Sequence, residues 1–350
     1  MKRARAAGLA AAAVGAAAAA AMAAARRQAA AWRAADELTA EELMRLPDGR
    51  HSMVATSDGG SLAVFEAGPA SGPAMVMAHG WTETSGVWAG VASRLVDGGH
   101  RVVLYDQRGH GGSSAGTDEY TISRLGEDLR DLLVAMDLTD ATLVGHSMGG
   151  MTVMALAADH RDVIGERARA LVLVSTAAAH MGRHPRVDAL AGRVMAGAGA
   201  TRLMSGPRGA RMTRGAVGAK PQLSHLQATA SMWAGTAGPV RAAGLLAISA
   251  MDLRSGLGPQ PVPVAVLVGS RDRLCPPARA REIVEHIPGA KLVVVPDAGH
   301  QLPFEAPDLV VSVIEEAMGA GEAVTGRATS RVEERPVEVG LRDGHLEPHS

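Results

Sequence analysis

One serine of the sequence lies in a context that favours nucleophilic chemistry. Ser147 is at the centre of the segment GHSMGG at residues 145–150, which follows an apolar run at 142–144 and precedes a helix-like apolar run at 151–158. A serine between a strand and a helix must take a sharp turn, and glycines are required beside it because side chains there would collide with neighbouring backbone. The pattern therefore predicts that Ser147 is a nucleophile raised above the edge of a sheet.

The base and the acid that such a serine needs are both present farther along the chain. A serine hydroxyl is a weak nucleophile until a base takes its proton, and an acid must hold that base in one tautomer. His300 follows a short apolar run at 291–295, and Asp272 follows another at 262–268. Both fall just past predicted strand ends, where open α/β sheets carry their catalytic groups. We predict that His300 is the base and that Asp272 orients it.

Two other aspartates compete for the role of the acid. Asp252 lies before the strand that precedes Asp272, and Asp297 is only three residues from His300. Asp272 also has a purely structural alternative as a cap for the turn that ends at a pair of prolines. Asp272 is favoured because the order serine, aspartate, histidine is that of enzymes with such a serine turn.

Backbone amides that could bind a developing oxyanion occur at two places. The Met148 amide lies at the start of the predicted helix after Ser147, where the helix dipole adds positive charge. The Trp81 amide lies in the loop after an apolar run at 74–78, which is the expected source of the second donor. Loop residues around these donors are predicted to support the site; they are His79, Gly80, Asp106, Arg108, Gly145, His146 and Gly149.

Some of these supporting residues have more than one interpretation. His79 invites a catalytic role, but organisation of its loop through hydrogen bonds is favoured. Asp106 and Arg108 follow the apolar run at 101–105, and they are expected to form a structural ion pair or a loop clamp. The glycines after them do not belong to a strand-GxGxxG-helix unit, so a nucleotide site is not predicted.

Short apolar runs alternate with helical stretches through most of the chain. Six runs rich in valine or leucine lie at 74–78, 101–105, 142–145, 171–174, 262–268 and 291–295. Nearly continuous apolar strands are typical of parallel strands that helices cover on both faces. A helical pattern at 122–136 and a hairpin signal at 58–60 fit the same arrangement. The sequence therefore predicts an open, doubly wound α/β domain.

One stretch interrupts this alternation. Residues 177–258 contain no clear strand, many glycines and six methionines, which predicts a mostly helical cap inserted over one edge of the sheet. The methionines either line an adaptable apolar site or pack the core of the cap, and core packing is favoured. Between residues 177 and 251, nine cationic side chains accompany a single anion, Asp188. This charge could favour anionic substrates, rest on anionic lipid, or simply form a solvated face.

Both ends of the chain differ from the rest. Residues 1–27 combine a basic start, 18 uncharged and mostly alanine residues, and two arginines, which indicates a membrane anchor, a secretory signal or a helical soluble arm. Residues 28–49 are predicted to be a linker helix that leads to a catalytic domain at 50–318. Residues 319–350 are predicted to be a disordered tail. The protein is expected to be membrane-associated through one N-terminal helix, and otherwise cytoplasmic or secreted.

Composition excludes several classes of function. Lysine and arginine number 35 against 36 aspartates and glutamates, so no global field favours nucleic acid as a partner. The single cysteine, Cys275, excludes an intramolecular disulfide and a cysteine-based metal cluster, and is interpreted as a small buried apolar residue. Neither a metal nor a cofactor is predicted.

These motifs together resemble the α/β-hydrolase superfamily over about residues 50–318. The resemblance rests on residues 79–81, 106–113 and 145–150, with Asp272 and His300. It implies a sheet of about eight strands, a helical cap and a cofactor-free Ser-Asp-His mechanism. The second segment is similar in cofactor-free haloperoxidases, proline iminopeptidases and lipase-like esterases, so it does not select among them. A serine nucleophile departs from epoxide hydrolases and haloalkane dehalogenases, which carry aspartate at that place.

The predicted function is hydrolysis of a carboxylic ester of a small or lipid-like substrate through an acyl-enzyme. An apolar acyl part is favoured because the cap is apolar and bears methionines. The same triad could cleave amides, peptides, thioesters, lactones or carbon-carbon bonds, or support haloperoxidase or perhydrolase chemistry. A hydrolase fold that is kept for binding, with little turnover, is the alternative from another class, and an intact triad disfavours it.

Overall fold

Eight strands form one sheet, and the apolar runs of the sequence account for six of them. The computed structural model describes residue 36 and residues 38–180, 185–205 and 207–324. The strands are β1 (Arg50–Ala55), β2 (Ser61–Ala67), β3 (Ala74–Ala78), β4 (Arg101–Tyr105), β5 (Ala141–His146), β6 (Ala168–Val174), β7 (Val264–Gly269) and β8 (Lys291–Val295).

The strand order is β1-β2-β4-β3-β5-β6-β7-β8. The pairs β1/β2 and β2/β4 are antiparallel, whereas every pair from β4 to β8 is parallel. The predicted doubly wound sheet of about eight strands is thereby confirmed. Because the carboxyl ends of parallel strands meet at one edge, the loops after β3, β5, β7 and β8 converge there.

Helices connect the strands and cover both faces. They are α1 (Ala40–Leu43), α2 (Ala89–Asp97), α3 (Ile122–Ala135), α4 (Met148–Asp159), α5 (Arg161–Arg167), α6 (Pro185–Ala196), α7 (Ala198–Met204), α8 (Pro207–Met212), α9 (Leu223–Gly235), α10 (Gly238–Ala250), α11 (Arg254–Leu257), α12 (Pro277–His286), α13 (Leu302–Glu305) and α14 (Pro307–Val324). Helices α3, α4 and α12 contribute to one core, and α2 and α14 contribute to the other.

The two cores divide the side chains of each central strand between them. In β3, Val76 belongs to the core under α3 and α4, whereas Met75 and Met77 belong to the core under α2 and α14. Successive side chains of a strand point to opposite faces, so a strand that is covered on both sides must be apolar at every position. This is why the parallel strands are continuous apolar runs in the sequence.

The stretch between β6 and β7 contains no strand within its described residues and holds helices α6 to α11. Its two ends are tied together, since His180 N donates to Met251 O at 3.0 Å and Leu253 N donates to Ala178 O at 2.8 Å. These two bonds close the insertion on the sheet edge that carries the loops after β3, β5, β7 and β8.

Two sequence predictions about the ends of the domain are wrong in their described part. Between residues 38 and 49, only the single turn α1 of the predicted linker helix is helical, because the chain then passes through Pro47 and Gly49 and packs Met44 and Leu46 against the core. The predicted disordered tail begins at residue 319, whereas α14 continues to Val324. The predicted anchor at 1–27 and most of the tail lie outside the described residues.

Within the described residues, no helix is both long enough and apolar enough to cross a membrane.

The contact between α3 and α4 depends on the absence of a side chain at one position. A Cβ added to Gly126 would lie 2.9 Å from Leu156 N and 3.1 Å from Ala155 Cβ. Gly126→Ala should therefore push the two helices apart and lower the free energy of unfolding by about 1–3 kcal/mol, although alanine favours helix. Urea denaturation followed by circular dichroism measures this loss.

Gly199→Ala is the matched control, because Gly199 lies in α7 with no atom within 4 Å of an added Cβ. We expect it to leave the unfolding free energy unchanged or to raise it by up to about 1 kcal/mol. An equal loss in both variants would contradict the close helix contact.

Candidate active site

Ser147 adopts a strained backbone conformation between β5 and α4. Its φ is 52° and its ψ is −116°, a combination of backbone angles that residues other than glycine rarely adopt. A Cβ on Gly145 would lie 2.3 Å from Gly149 O, and a Cβ on Gly149 would lie 2.1 Å from Ala78 O. The two glycines thus allow α4 to begin directly against β3 and β5, with Ser147 at the turn.

His300 and Asp272 form a buried hydrogen-bonded pair. His300 Nδ1 lies 2.8 Å from Asp272 Oδ2, and each residue is only 4% exposed. The other carboxylate oxygen, Oδ1, accepts bonds from Leu274 N and Cys275 N at 2.8 Å each. These bonds fix the carboxylate, and it in turn holds the proton on Nδ1 and leaves Nε2 as an acceptor.

The competing aspartates are engaged elsewhere. Asp297 accepts from Arg271 Nε at 2.8 Å, and Asp252 accepts from Arg254 Nε at 2.8 Å. The structure therefore brings Asp272, rather than Asp252 or Asp297, to the ring of His300.

The loops that carry Ser147 and His300 are joined through His146. His146 Nε2 lies 2.8 Å from His300 O, and the two imidazole rings are 5.0 Å apart. Among the described residues, no hydrogen bond links Ser147 Oγ to His300. Such bonds between nucleophile and base are often long without substrate and tighten when it binds.

The ring of His146 is doubly protonated. Its Nε2 faces a carbonyl oxygen, and its Nδ1 lies 2.9 Å from Glu83 Oε2, so both nitrogens must donate. Burial lowers the pKa of His146, but the Glu83 carboxylate and the two hydrogen bonds outweigh it and raise the pKa above its ordinary value. His146 and Glu83 are consequently a buried ion pair beside the strained serine.

Glu83 connects the three loops of the site. Its Oε2 accepts from Gly80 N at 2.7 Å, and its Oε1 accepts from Gln301 Nε2 at 2.9 Å. Burial raises the pKa of Glu83, but the charge and hydrogen bond of His146, with the bonds from Gln301 and Gly80, lower it to about 2. The carboxylate is thus charged and holds the loops after β3, β5 and β8 together.

Glu83 and Gln301 were not identified from the sequence. Glu83 stands 63 residues from His146 and 218 residues from Gln301. The spacing of residues along the sequence cannot indicate contacts between groups so far apart in the chain. The only available signal was a carboxylate four residues after His79 in a loop that was already assigned to the site.

The loop after β3 passes directly against the nucleophile. A Cβ on Gly80 would lie 3.1 Å from Ser147 Cβ. Within the described residues, the amide hydrogen of the next residue, Trp81, donates to no protein group. Met148 is the first residue of α4, so its amide has no acceptor within the helix. Both amides sit in segments that border Ser147.

His79 organises this loop as a neutral imidazole. Its Nε2 accepts from Gln107 N at 2.9 Å, and its Nδ1 donates to Gly80 O at 2.8 Å. Burial lowers the pKa of His79. Each ring nitrogen is thereby occupied by backbone, which leaves neither available to a substrate.

Asp106 and Arg108 do not pair with each other in the described structure, so the ion-pair alternative is wrong. Asp106 accepts from Ser85 N at 2.7 Å and from Gly112 N at 2.9 Å, which clamps the turn after β4. Arg108 is buried and donates to Asp128 at 2.6 and 2.8 Å and to Asp58 at 3.0 Å. The pairing differs because Asp128 approaches from α3, 20 residues away.

Helix α10 packs against these loops. Trp81 Nε1 donates to Arg241 O at 3.1 Å, and a Cβ on Gly244 would lie 2.6 Å from the Trp81 ring. Val240 contacts the position that a Cβ on Gly109 would take, at 2.8 Å. Helix α10 therefore packs against the loops that carry Trp81 and Gly109.

Among the described residues, no group of three or more histidine, cysteine, aspartate or glutamate side chains could hold a metal ion.

Comparisons with known proteins agree with this fold. The sequence model of the family described as the alpha/beta hydrolase fold matches residues 73–307. A pimeloyl-[acyl-carrier protein] methyl ester esterase from Aeromonas hydrophila is 28% identical over 254 residues, which cover 71% of this chain and 96% of the esterase. An enol-lactonase structure from Burkholderia xenovorans aligns with 77% of this chain and 100% of its own at a TM-score of 0.65 and 28% identity.

A non-heme chloroperoxidase from Kitasatospora aureofaciens is 40% identical over 95 residues, or 27% of this chain. The aligned part spans only 34% of the length of that relative.

Glu83→Gln should destabilise the protein more at low pH than at high pH. The raised pKa of His146 means that its protonation stabilises the wild type fully below its unfolded pKa of about 6.5, and that this contribution is lost as the pH rises through the folded value. Without Glu83, the two largest influences that raise the pKa of His146 are gone, and the smaller ones, the hydrogen bond to His300 O and the charge of Asp272, oppose burial alone, so protonation of His146 stabilises the fold less. The loss of unfolding free energy should be greater at about pH 5.5 than at about pH 8.5, by ~1 kcal/mol or more.

Urea denaturation at the two pH values measures this difference. Glu83 itself has a pKa of about 2 and is ionised at both, so the difference reports on His146. Glu285→Gln, at an exposed position of α12, is the control and should show no pH-dependent loss. A Glu83→Gln loss of equal size at both pH values would contradict a charged His146.

Proposed function

Because the chain belongs to the α/β-hydrolase family of enzymes, we propose that it is a serine hydrolase that cleaves carboxylic esters through an acyl-enzyme. The observation that carries this proposal is the strained turn at Ser147 beside the buried hydrogen bond of 2.8 Å between His300 and Asp272. A serine with a positive φ between a strand and a helix has its hydroxyl exposed to a substrate, and this exposure explains why the strained conformation is kept.

The mechanism follows from the donors and acceptors of the site. His300 Nε2 takes the hydroxyl proton of Ser147 while Oγ attacks the carbonyl carbon of the ester. The new imidazolium is stabilised by the carboxylate of Asp272. His300 then gives the proton to the leaving alcohol, and the same residue activates the water that hydrolyses the acyl-enzyme.

The negative charge on the carbonyl oxygen is stabilised by the backbone amides of Trp81 and Met148. The position of Met148 at the start of α4 adds the positive end of a helix of 12 residues. Loss of one such donor reduces the rate by roughly 10²- to 10³-fold in comparable sites. Gly80 supports the arrangement because its own amide is bound to Glu83, which fixes the loop that presents Trp81.

The substrate is proposed to be an ester with an apolar acyl part. Residues 177–258 act as the cap, and its helix α10 covers the site with Val240 and with the face that contacts Trp81. Met204, Met232 and Met251 are buried, which favours core packing for these cap methionines. The methyl ester esterase and the enol-lactonase act, by their names, on an ester and on a cyclic ester.

Ser147→Ala should abolish labelling by a fluorophosphonate probe and lower kcat/KM for a short p-nitrophenyl ester by at least about 10⁴-fold. Asp272→Asn should lower it by about 10³- to 10⁴-fold, because His300 then loses its tautomer and its counter-charge. Mass mapping of the labelled wild type locates the adduct.

Asp297→Asn is the matched control, since it removes a carboxylate from the same loop region without contacting His300. Its kcat/KM should remain within about threefold of the wild type. Labelling at another serine, or equal losses in the two aspartate variants, would contradict the proposed triad.

We further propose that the outer face of the cap contacts a membrane surface. Val187, Leu190 and Val194 recur at helical spacing on α6, and they are 55%, 63% and 64% exposed. Arg193 on α6 and Arg202 on α7 are also exposed, and within the described residues neither has an acidic partner. Exposed apolar side chains beside arginines are typical of helices that lie on anionic membranes.

Leu190→Ser combined with Val194→Ser should reduce binding of the full chain to phosphatidylglycerol vesicles by about fivefold or more in sedimentation assays. Met53→Ser with Val134→Ser is the control, because these side chains are 56% and 53% exposed elsewhere. Equal binding by both variants would contradict the proposal. Self-association that only the first pair abolishes would assign the face to a second copy of the chain.

A further inference from the structure

A small pocket lined by arginines lies beside the loops that carry Asp272 and His300. Its cavity measures about 140 Å³, and its lining residues are Arg214, Val217, Gly218, Ala219, Arg271 and Arg273. Three of these six residues are arginines. Arg271 and Arg273 flank Asp272 in the sequence, and the remaining four lining residues belong to the cap.

Backbone hydrogen bonds connect both walls of the pocket to the loop that carries His300. On the cap side, Ala219 N donates to Asp297 O, and Ala216 O accepts from His300 N, each at 2.8 Å. On the other side, Arg271 N donates to Ala298 O at 2.9 Å. The arginines are therefore held near one another by backbone bonds that also hold the catalytic histidine.

The positive charge of this pocket is only partly compensated. Arg271 pairs with Asp297 at 2.8 Å, but both side chains are more than half exposed, so the pair is weak and can rearrange. Within the described residues, Arg214 and Arg273 have no carboxylate partner. Arg214 gives one hydrogen bond to Val217 O at 2.7 Å and retains its other donors.

The nearby carboxylates form hydrogen bonds with other groups. Asp272 is bound to His300 and to two backbone amides. Glu305 accepts from Gly218 N at 2.7 Å and from Gly299 N at 2.9 Å, which stabilises the backbone behind the pocket. These acids anchor the loops and do not pair with the guanidinium groups of Arg214 or Arg273.

We propose that this pocket binds the oxyanion group of a ligand, a phosphate or a carboxylate. A guanidinium group offers a planar fork of donors that matches both groups. A cavity of about 140 Å³ is well above the roughly 10–15 Å³ that one water needs by the same measure, so it has room for a phosphate or a short carboxylate. The group belongs either to the charged end of a substrate or to a free anion that acts on the adjacent His300 loop.

Isothermal titration calorimetry with inorganic phosphate tests the site directly. Arg214→Gln combined with Arg273→Gln should weaken binding by about tenfold or more, because two charge-assisted donors are lost. Arg208→Gln combined with Arg211→Gln is the control: both arginines are exposed on the cap, and the change in net charge is identical. This control should alter the dissociation constant by less than about twofold.

The single variant Arg273→Gln provides a second measurement, since its side chain is exposed and makes no described bond that folding requires. It should weaken phosphate binding by about threefold or more. Equal weakening in the pocket and control pairs, or no heat of binding at millimolar phosphate beyond that of chloride at the same ionic strength, would overturn the proposal. These results do not depend on turnover, so they stand apart from the test of the ester hydrolase.

Kinetics identify the source of the anion. If the anion is part of a substrate, the double variant of Arg214 and Arg273, here the pocket variant, raises KM for an ester with a terminal carboxylate. It leaves KM for a neutral ester of equal length unchanged. If it is a free anion, phosphate changes the hydrolysis of the neutral ester by the wild type and not by the pocket variant. Both results support the pocket, and each assigns its ligand.

Discussion

Glu83 and His146 share a hydrogen bond of 2.9 Å in a region where both side chains are buried. Two charges can be buried together only when their remaining donors and acceptors are also satisfied, since desolvation is costly. Gly80 and Gln301 satisfy Glu83, and the carbonyl of His300 satisfies His146. The pair thereby joins three loops from separate strands, and their relative positions depend on it.

The strain at Ser147 is possible because the surrounding structure determines its backbone. A residue with positive φ costs about 1–3 kcal/mol, which must be offset by contacts around it. Ser147 N donates to Val174 O at 2.9 Å, and Thr176 Oγ1 donates to Ser147 O at 2.7 Å, so β6 holds the turn from one side. The glycines at 145 and 149 let α4 and β3 approach from the other side.

The helical insertion is attached to the sheet domain through the site itself. Trp81 contacts α10, and the backbone of residues 216–219 is bound to that of residues 297–300. Opening of the insertion would therefore disturb the loop that bears His300 and the loop that bears Trp81. The arginine pocket lies at the second of these attachments, where backbone hydrogen bonds connect the cap to the loop that bears His300.

The sequence by itself determined the features that depend on neighbouring residues. Apolar runs covered on both faces predicted six parallel strands and hence the fold, and the glycines around Ser147 predicted the turn. Strand ends placed Asp272 and His300 at one edge of the sheet, although their catalytic roles stay predictions. Only the tertiary structure decided which distant groups meet: Glu83 with His146, Arg108 with Asp128, and three arginines around one cavity. These contacts join residues that local spacing cannot relate, because the folded chain and not the local pattern sets their distance.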